Sequence, residues 1–252
     1  MSEAFPIRIP ETLPTRIAKC PIVEAAAEVR FVSPVPEAAQ QGLLFAQIRT
    51  RYPKYVQLPG AALPPEIRAL NPILQYAPVA QYHSPEFIIQ TGPRAVALLI
   101  QPAKYPGWAV LSAEIEFFFN ALKNADFVSE GERLGLRYVN FFAFDVFPNL
   151  DLEVHAHGKP FNAPELNLIC GLKREKAFVR LSIANNAIAQ IANESRYGGV
   201  LDIDVSFNSE EFTLFEGSIE RLNDAHLFVK QIFFGLLKKD FLDALEPEYS
   251  PQ

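Results

Sequence analysis

One long amphipathic run closes the chain: LFEGSIERLNDAHLFVKQIFFGLLKKDFLDAL, from about Leu214 to Leu245, followed by Glu246-Pro247-Glu248-Tyr249. Leu222, Val229, Phe233 and Leu236 recur at steps of seven, four and three, which keeps one stripe of a 3.6-residue helix facing a core. Such a helix must cover something, and the segments upstream read as strands with one apolar side. Continuous at 1.5 Å per residue, it would extend about 45 Å, further than a typical sheet is wide. Its far end, with Phe241 and Leu245, is therefore expected to stand exposed and to bury against a second copy of the chain.

The strands show themselves by period. In IVEAAAEVRF, Val23, Ala25, Ala27, Val29 and Phe31 take one side and Glu24, Glu28 and Arg30 the other, the mark of a half-buried strand. FIIQTGPRAVALLIQ reads as a hairpin around Gly92-Pro93. ERLGLRYVNFFAF starts alternating and then turns apolar on both faces, as a central strand does. LDLEVHAH, ELNLICGL, AFVRLSIA and GVLDIDVSF follow as further strands, the last after a turn at Tyr197-Gly198-Gly199, with a bend expected at Asn185-Asn186. Two more helices are expected. One runs from about Pro36 to Arg51 with Leu43, Leu44 and Ile48 buried; the other from Trp108 to Asn124 buries Trp108, Leu111, Ile115, Phe118 and Leu122. Between them, residues 53–85 carry seven prolines and read as irregular, apart from one helical turn that Pro65 opens. Adjacent strands with few helices predict an α+β fold: a largely antiparallel sheet covered on one face by long helices, the C-terminal helix among them.

Residues 1–20 hold Pro6, Pro10 and Pro14, so they form an extended Pro-rich arm, suited to docking along a neighbour's sheet edge. Residues 21–252 form a single α+β module. Because both halves finish as strand, strand, long helix, a division into 21–126 and 127–252 is the alternative. Hydrophobic residues at 49% and charged ones at 21% suit a globular protein. A net charge of −6 gives no general attraction to nucleic acid, so that partner class ranks last. Cys20 and Cys170 have no Cys or His at metal spacing and are expected as buried thiols. With no signal-like N-terminus and no run of about 18 apolar residues, the expected place is the cytoplasm, off the membrane.

PIVEAAAEVRF at 21–31, LPPEIR at 63–68, YPGW at 105–108, RLGLRYVNFF at 133–142 and the closing LLKKDFL–L–PEY run together resemble a sporadically distributed bacterial family without an assigned biochemical function. The resemblance spans about Pro21 to Tyr249. It implies one full-length module, no transferable catalytic residues, and a place among accessory or defence- and toxin-linked genes.

The chemistry worth testing comes from strand phase. The polar sides carry Glu28 and Arg30, Arg133 and Arg137, Arg180 and Ser182, and Asp202, Asp204 and Ser206. If the apolar faces lie together, these charges converge on the opposite face. Arginines there supply planar forks for phosphate or carboxylate, and Asp202-x-Asp204 sets two carboxylates roughly 6–7 Å apart. The plainer expectation is a solvated face of cross-strand ion pairs. Glu153, His155 and His157 share one strand face as metal-ligand candidates, but a closed site needs more ligands than this run supplies, so an exposed edge strand is preferred. His226 falls on the apolar stripe of the last helix and is expected to be buried with one hydrogen bond. No nucleophile elbow, phosphate loop or zinc-protease motif occurs, so no cofactor is expected. The leading expectation is a non-catalytic binding or regulatory module acting through protein contacts. The alternative is an enzyme, or a small-ligand or metal-binding protein, using Arg137, Arg180, Asp202 and Asp204.

Overall fold

The computed structural model describes residues 5–161, 163–191 and 194–249. The fold is α+β with a large antiparallel sheet. Its nine strands are β1 (Ile22–Val32), β2 (Lys54–Gln57), β3 (Ala80–His83), β4 (Phe87–Thr91), β5 (Ala95–Ile100), β6 (Glu130–Phe142), β7 (Asn167–Arg174), β8 (Ala177–Ile191) and β9 (Glu194–Asn208). They lie in the order β7-β8-β9-β6-β1-β5-β4-β3-β2. Five α-helices accompany them among the described residues: α1 (Glu37–Ile48), α2 (Pro65–Leu70), α3 (Trp108–Ala125), α4 (Ser218–Leu236) and α5 (Lys239–Ala244). None is long and apolar enough to cross a membrane.

The chain gathers into two compact units, the described parts of Met1–Val23, Arg137–Val205 and Asp224–Gln252 in one, and of Glu24–Leu136 and Ser206–Asn223 in the other.

In the Glu24–Leu136 unit, alternation decides burial. Ala25, Ala27, Val29 and Phe31 of β1 are fully buried, and Glu24, Ala26, Glu28 and Arg30 between them are half-buried. The β4–β5 hairpin pairs Gln90 with Ala97, and β5 pairs Ala97 with Glu28 of β1. Helix α1 packs on α3, and α3 on β5, through Leu44, Ile48, Leu111, Ile115, Phe118 and Leu122. Leu43, expected inside, is exposed, and Trp108 is half-buried. The Pro-rich stretch is more regular than expected. It contains strands β2 and β3, paired antiparallel with Tyr55 opposite Tyr82, and α2 between them.

In the other unit, β7 and β8 pair with Gly171 opposite Arg180. The arm is tied to its own chain: Arg16–Ile17 pairs antiparallel with Pro247–Glu248, and the Phe141 N–H donates to Pro21 O at 2.9 Å. The expected 214–245 helix is two helices. Leu237 leaves α4 to bridge Leu150, the Asp151 N–H donates to Leu236 O at 2.7 Å, and the Lys238 N–H donates to Asn149 O at 3.0 Å. Those backbone groups are thereby withdrawn from the helical ladder. Phe241 and Leu245 are buried, not exposed, with Phe241 edge-on to Phe142 and Phe144. This removes the reason given for a second copy there. LDLEVHAH makes no eight-residue strand; within it Leu150 bridges Leu237, and His155–Ala156 pairs with Lys159–Pro160. Tyr197-Gly198-Gly199 is strand, not turn, and a Cβ at Gly198 would sit 1.9 Å from Phe142 O. Glycine is there because two backbones nearly touch. Asn185-Asn186 also lies within a strand, with Asn186 at φ 53°. Cys20 is exposed and Cys170 half-buried, so neither thiol is the buried one expected.

Candidate functional site

The six charged candidates divide between the units. Glu28 and Arg30 belong to one; Arg137, Arg180, Asp202 and Asp204 belong to the other.

In the latter, β8, β9 and β6 are neighbours, and the candidates alternate with buried Val179, Leu181, Leu201, Ile203 and Val205. Arg137 grips Asp202 with a planar fork, Nε to Oδ1 at 2.9 Å and Nη2 to Oδ2 at 2.8 Å. The Arg137 side chain is 45% exposed, so water competes for this pair. Arg180 is exposed and Asp204 half-buried. Glu153 Oε2 and His155 Nε2 lie 2.9 Å apart on an exposed stretch, and His157 next to them has φ 51°. Among the described residues, no three His, Cys, Asp or Glu side chains are placed to hold a metal. His226 Nδ1 lies 3.2 Å from Tyr138 Oη; burial, and next the charge of Lys230, push its imidazole down to about 3. The ring is half-buried, where full burial was expected.

The Glu24–Leu136 unit holds a denser network. Glu28 Oε1 accepts from Arg30 Nε at 2.8 Å and from Arg133 Nη1 at 2.9 Å. The Arg30 guanidinium lies 4.4 Å over the ring of Tyr76, and the Arg94 guanidinium is 5.6 Å from the same ring. Arg94 pairs with Glu132 and donates from Nη1 to Gln75 Oε1 at 2.8 Å, while Tyr76 Oη donates to Glu132 Oε2 at 3.4 Å. Arg68, on α2, is buried and meets Glu37, in the first turn of α1, through Nη1 at 2.9 Å and Nη2 at 2.6 Å. Glu37, Pro65, Arg68, Gln75, Pro93 and Arg94 line a cavity of about 240 Å³.

Sequence reading missed Arg68, Arg94, Glu37, Gln75 and Tyr76. Arg94 lies just past the hairpin turn, and Arg68 on the one helical turn expected within the prolines. Neither sits on a strand whose period could mark it.

The same segment also exposes large apolar side chains. Leu63, Ile67, Leu70 and Ile73 are 36%, 50%, 82% and 80% exposed. Ile67 and Leu70 lie three residues apart on α2 and share its face, while Leu63 precedes the helix with extended backbone and Ile73 follows it beyond an extended Asn71. Helix α2 therefore carries Arg68 inward and Ile67 and Leu70 outward.

Compared with models of protein families and with curated proteins, the chain matches none. The resemblance drawn from its motifs rests on those residues alone.

Proposed function

We propose that the chain is a binding module that acts through protein contacts, with the Leu63–Ile73 segment as its docking element. One observation carries this reading: four large apolar side chains stand exposed between Leu63 and Ile73, on a segment of six prolines between 53 and 78. Single exposed apolar residues are ordinary, but four within one short segment lose their hydration cost only by being covered. Ile67 and Leu70, three residues apart on α2, suit a partner that offers an apolar groove. The prolines restrict the free segment, so less entropy is lost on docking.

The test is quantitative co-purification from the native host, comparing the chain with a Leu70→Asp/Ile73→Asp variant. Both side chains are largely in water, so folding should change by less than about 0.5 kcal/mol. A partner enriched on the unaltered chain and lost from the variant supports the reading. Equal recovery of every protein by both overturns it. Light scattering on both shows whether the partner is a second copy.

A second reading keeps an enzyme, or a small-ligand or metal-binding protein, on the β8–β9–β6 face. It is favoured by Arg180, Asp202, Asp204 and Arg137 lying on three successive strands.

A further inference from the structure

The guanidinium of Arg68 has more donors than its surroundings use. It carries five N–H groups, of which Glu37 takes one from Nη1 and one from Nη2. The Nε–H is buried and meets no acceptor among the described residues. In a planar guanidinium, Nε–H and the second hydrogen of Nη2 point the same way. They form a second fork, of the spacing that receives two oxygens of one anion. Buried polar groups are almost always satisfied, so an orphan donor beside a cavity calls for an acceptor from outside the chain.

The cavity beside it supplies the rest. Two rigid prolines, Pro65 and Pro93, form part of its wall, and Arg94 with Gln75 brings a second guanidinium to it. Of the charged side chains joined in this region, Arg30, Arg68, Arg94 and Arg133 outnumber Glu28, Glu37 and Glu132. The cavity lining itself carries two guanidinium groups, Arg68 and Arg94, against one carboxylate, Glu37, on a chain whose net charge is −6. At about 240 Å³ the cavity lies just below the usual range of ligand pockets, which suits a small anion.

We propose that this cavity binds a small oxyanion, one charged end of which docks on the Nε–Nη2 fork of Arg68 while Arg94, also in the lining, attracts it. The site is separate from the outward face of α2 and does not depend on the docking reading.

Succinate and inorganic phosphate serve as probes, with uncharged succinamide as control. Binding is measured on the purified chain by calorimetry and thermal unfolding, with sodium chloride holding ionic strength constant. At least one anion should bind saturably and raise the unfolding temperature, while succinamide does neither. Succinate alone assigns a carboxylate, and phosphate alone a phosphate. Because Arg68→Lys removes a buried fork and can impair folding, Gln75→Glu is made beside it, placing a negative charge on the half-buried wall with the same shape. It should weaken binding at least tenfold with the unfolding temperature of the free chain nearly unchanged. The Leu70→Asp/Ile73→Asp variant should bind as the unaltered chain does. No saturable binding of either anion, or undiminished binding by Gln75→Glu, overturns the proposal.

Discussion

Tyr52 donates its phenolic hydrogen to Glu114 Oε1 across 2.5 Å, with both side chains buried. Arg51 Nη2 reaches the other carboxylate oxygen at 2.6 Å from a half-exposed position. A residue at the end of α1's chain segment is thereby locked to the middle of α3, alongside the packing of the two helices. Tyr52→Phe should destabilise the chain by about 1.5–3 kcal/mol, the range for a hydrogen bond to a charged group. Glu114→Leu should cost more than Tyr52→Phe, because it leaves the Tyr52 hydroxyl buried without its acceptor. Urea unfolding of the two variants checks the order.

Alkaline pH should attack the same unit. Burial, and next the hydrogen bond to Glu114, hold the Tyr52 hydroxyl well above its ordinary 10.0. Burial, and next Tyr55, raise Tyr82 to about 12. Above pH 10 the unfolded chain releases these protons while the folded chain keeps them. Stability is therefore full below pH 10 and falls as pH rises, for Tyr82 until about 12, by at most about 1.4 kcal/mol per pH unit per group. Unfolding midpoints between pH 8 and 11.5 should fall less steeply in Tyr52→Phe than in the unaltered chain.

Acid acts through His226. Burial holds its folded value near 3 against an ordinary 6.5. Between those values the unfolded chain takes up a proton that the folded chain refuses, so stability is lost as pH falls from 6.5 towards 3. Other groups add to the same limb, so the readout is a difference. His226→Gln should flatten the decline in urea midpoint across this window.

The arm should respond to one methyl group in α4. A Cβ at Gly235 would lie 2.1 Å from Arg8 O, a backbone atom that cannot swing away. Gly235→Ala should therefore lift the chain around Arg8 from the helix while raising helix propensity by about 1 kcal/mol. Limited trypsin digestion should cut after Arg8 faster in this variant. An unchanged rate would mean that the arm does not bind there in solution.

The Arg137–Asp202 pair separates the two readings of its sheet face. If it is only a surface pair, Asp202→Ala should cost under about 1 kcal/mol and change nothing else. If that face holds an anion or a metal, the same variant should abolish binding while stability barely moves. Thermal unfolding with and without added magnesium and phosphate distinguishes the outcomes.

Much of the fold was legible because burial has a period. The two-residue repeat of Ile22–Val32 and the 3.6-residue stripe of Trp108–Ala125 each report which side meets water, and both elements form nearly where they were expected. Lys54–Gln57 and Ala80–His83 were hidden because four residues among prolines carry too little alternation to read. The break at Leu237 was hidden for a different reason. Its cause is a backbone bridge to Leu150, and nothing in LLKKDFL announces it.

The site shows the same division. The amino-acid sequence by itself determined that Glu28, Arg30, Arg137, Asp202 and Asp204 stand on the polar sides of their strands, since each alternates with apolar neighbours. Only the tertiary structure decided whom they meet: Asp202 takes Arg137, Glu28 takes Arg30 and Arg133, and Arg68 and Arg94 come to one cavity from segments 26 residues apart. Local periodicity senses one boundary, between interior and solvent. Pairing depends instead on how distant segments close on each other, and that is set by the packing of the whole chain.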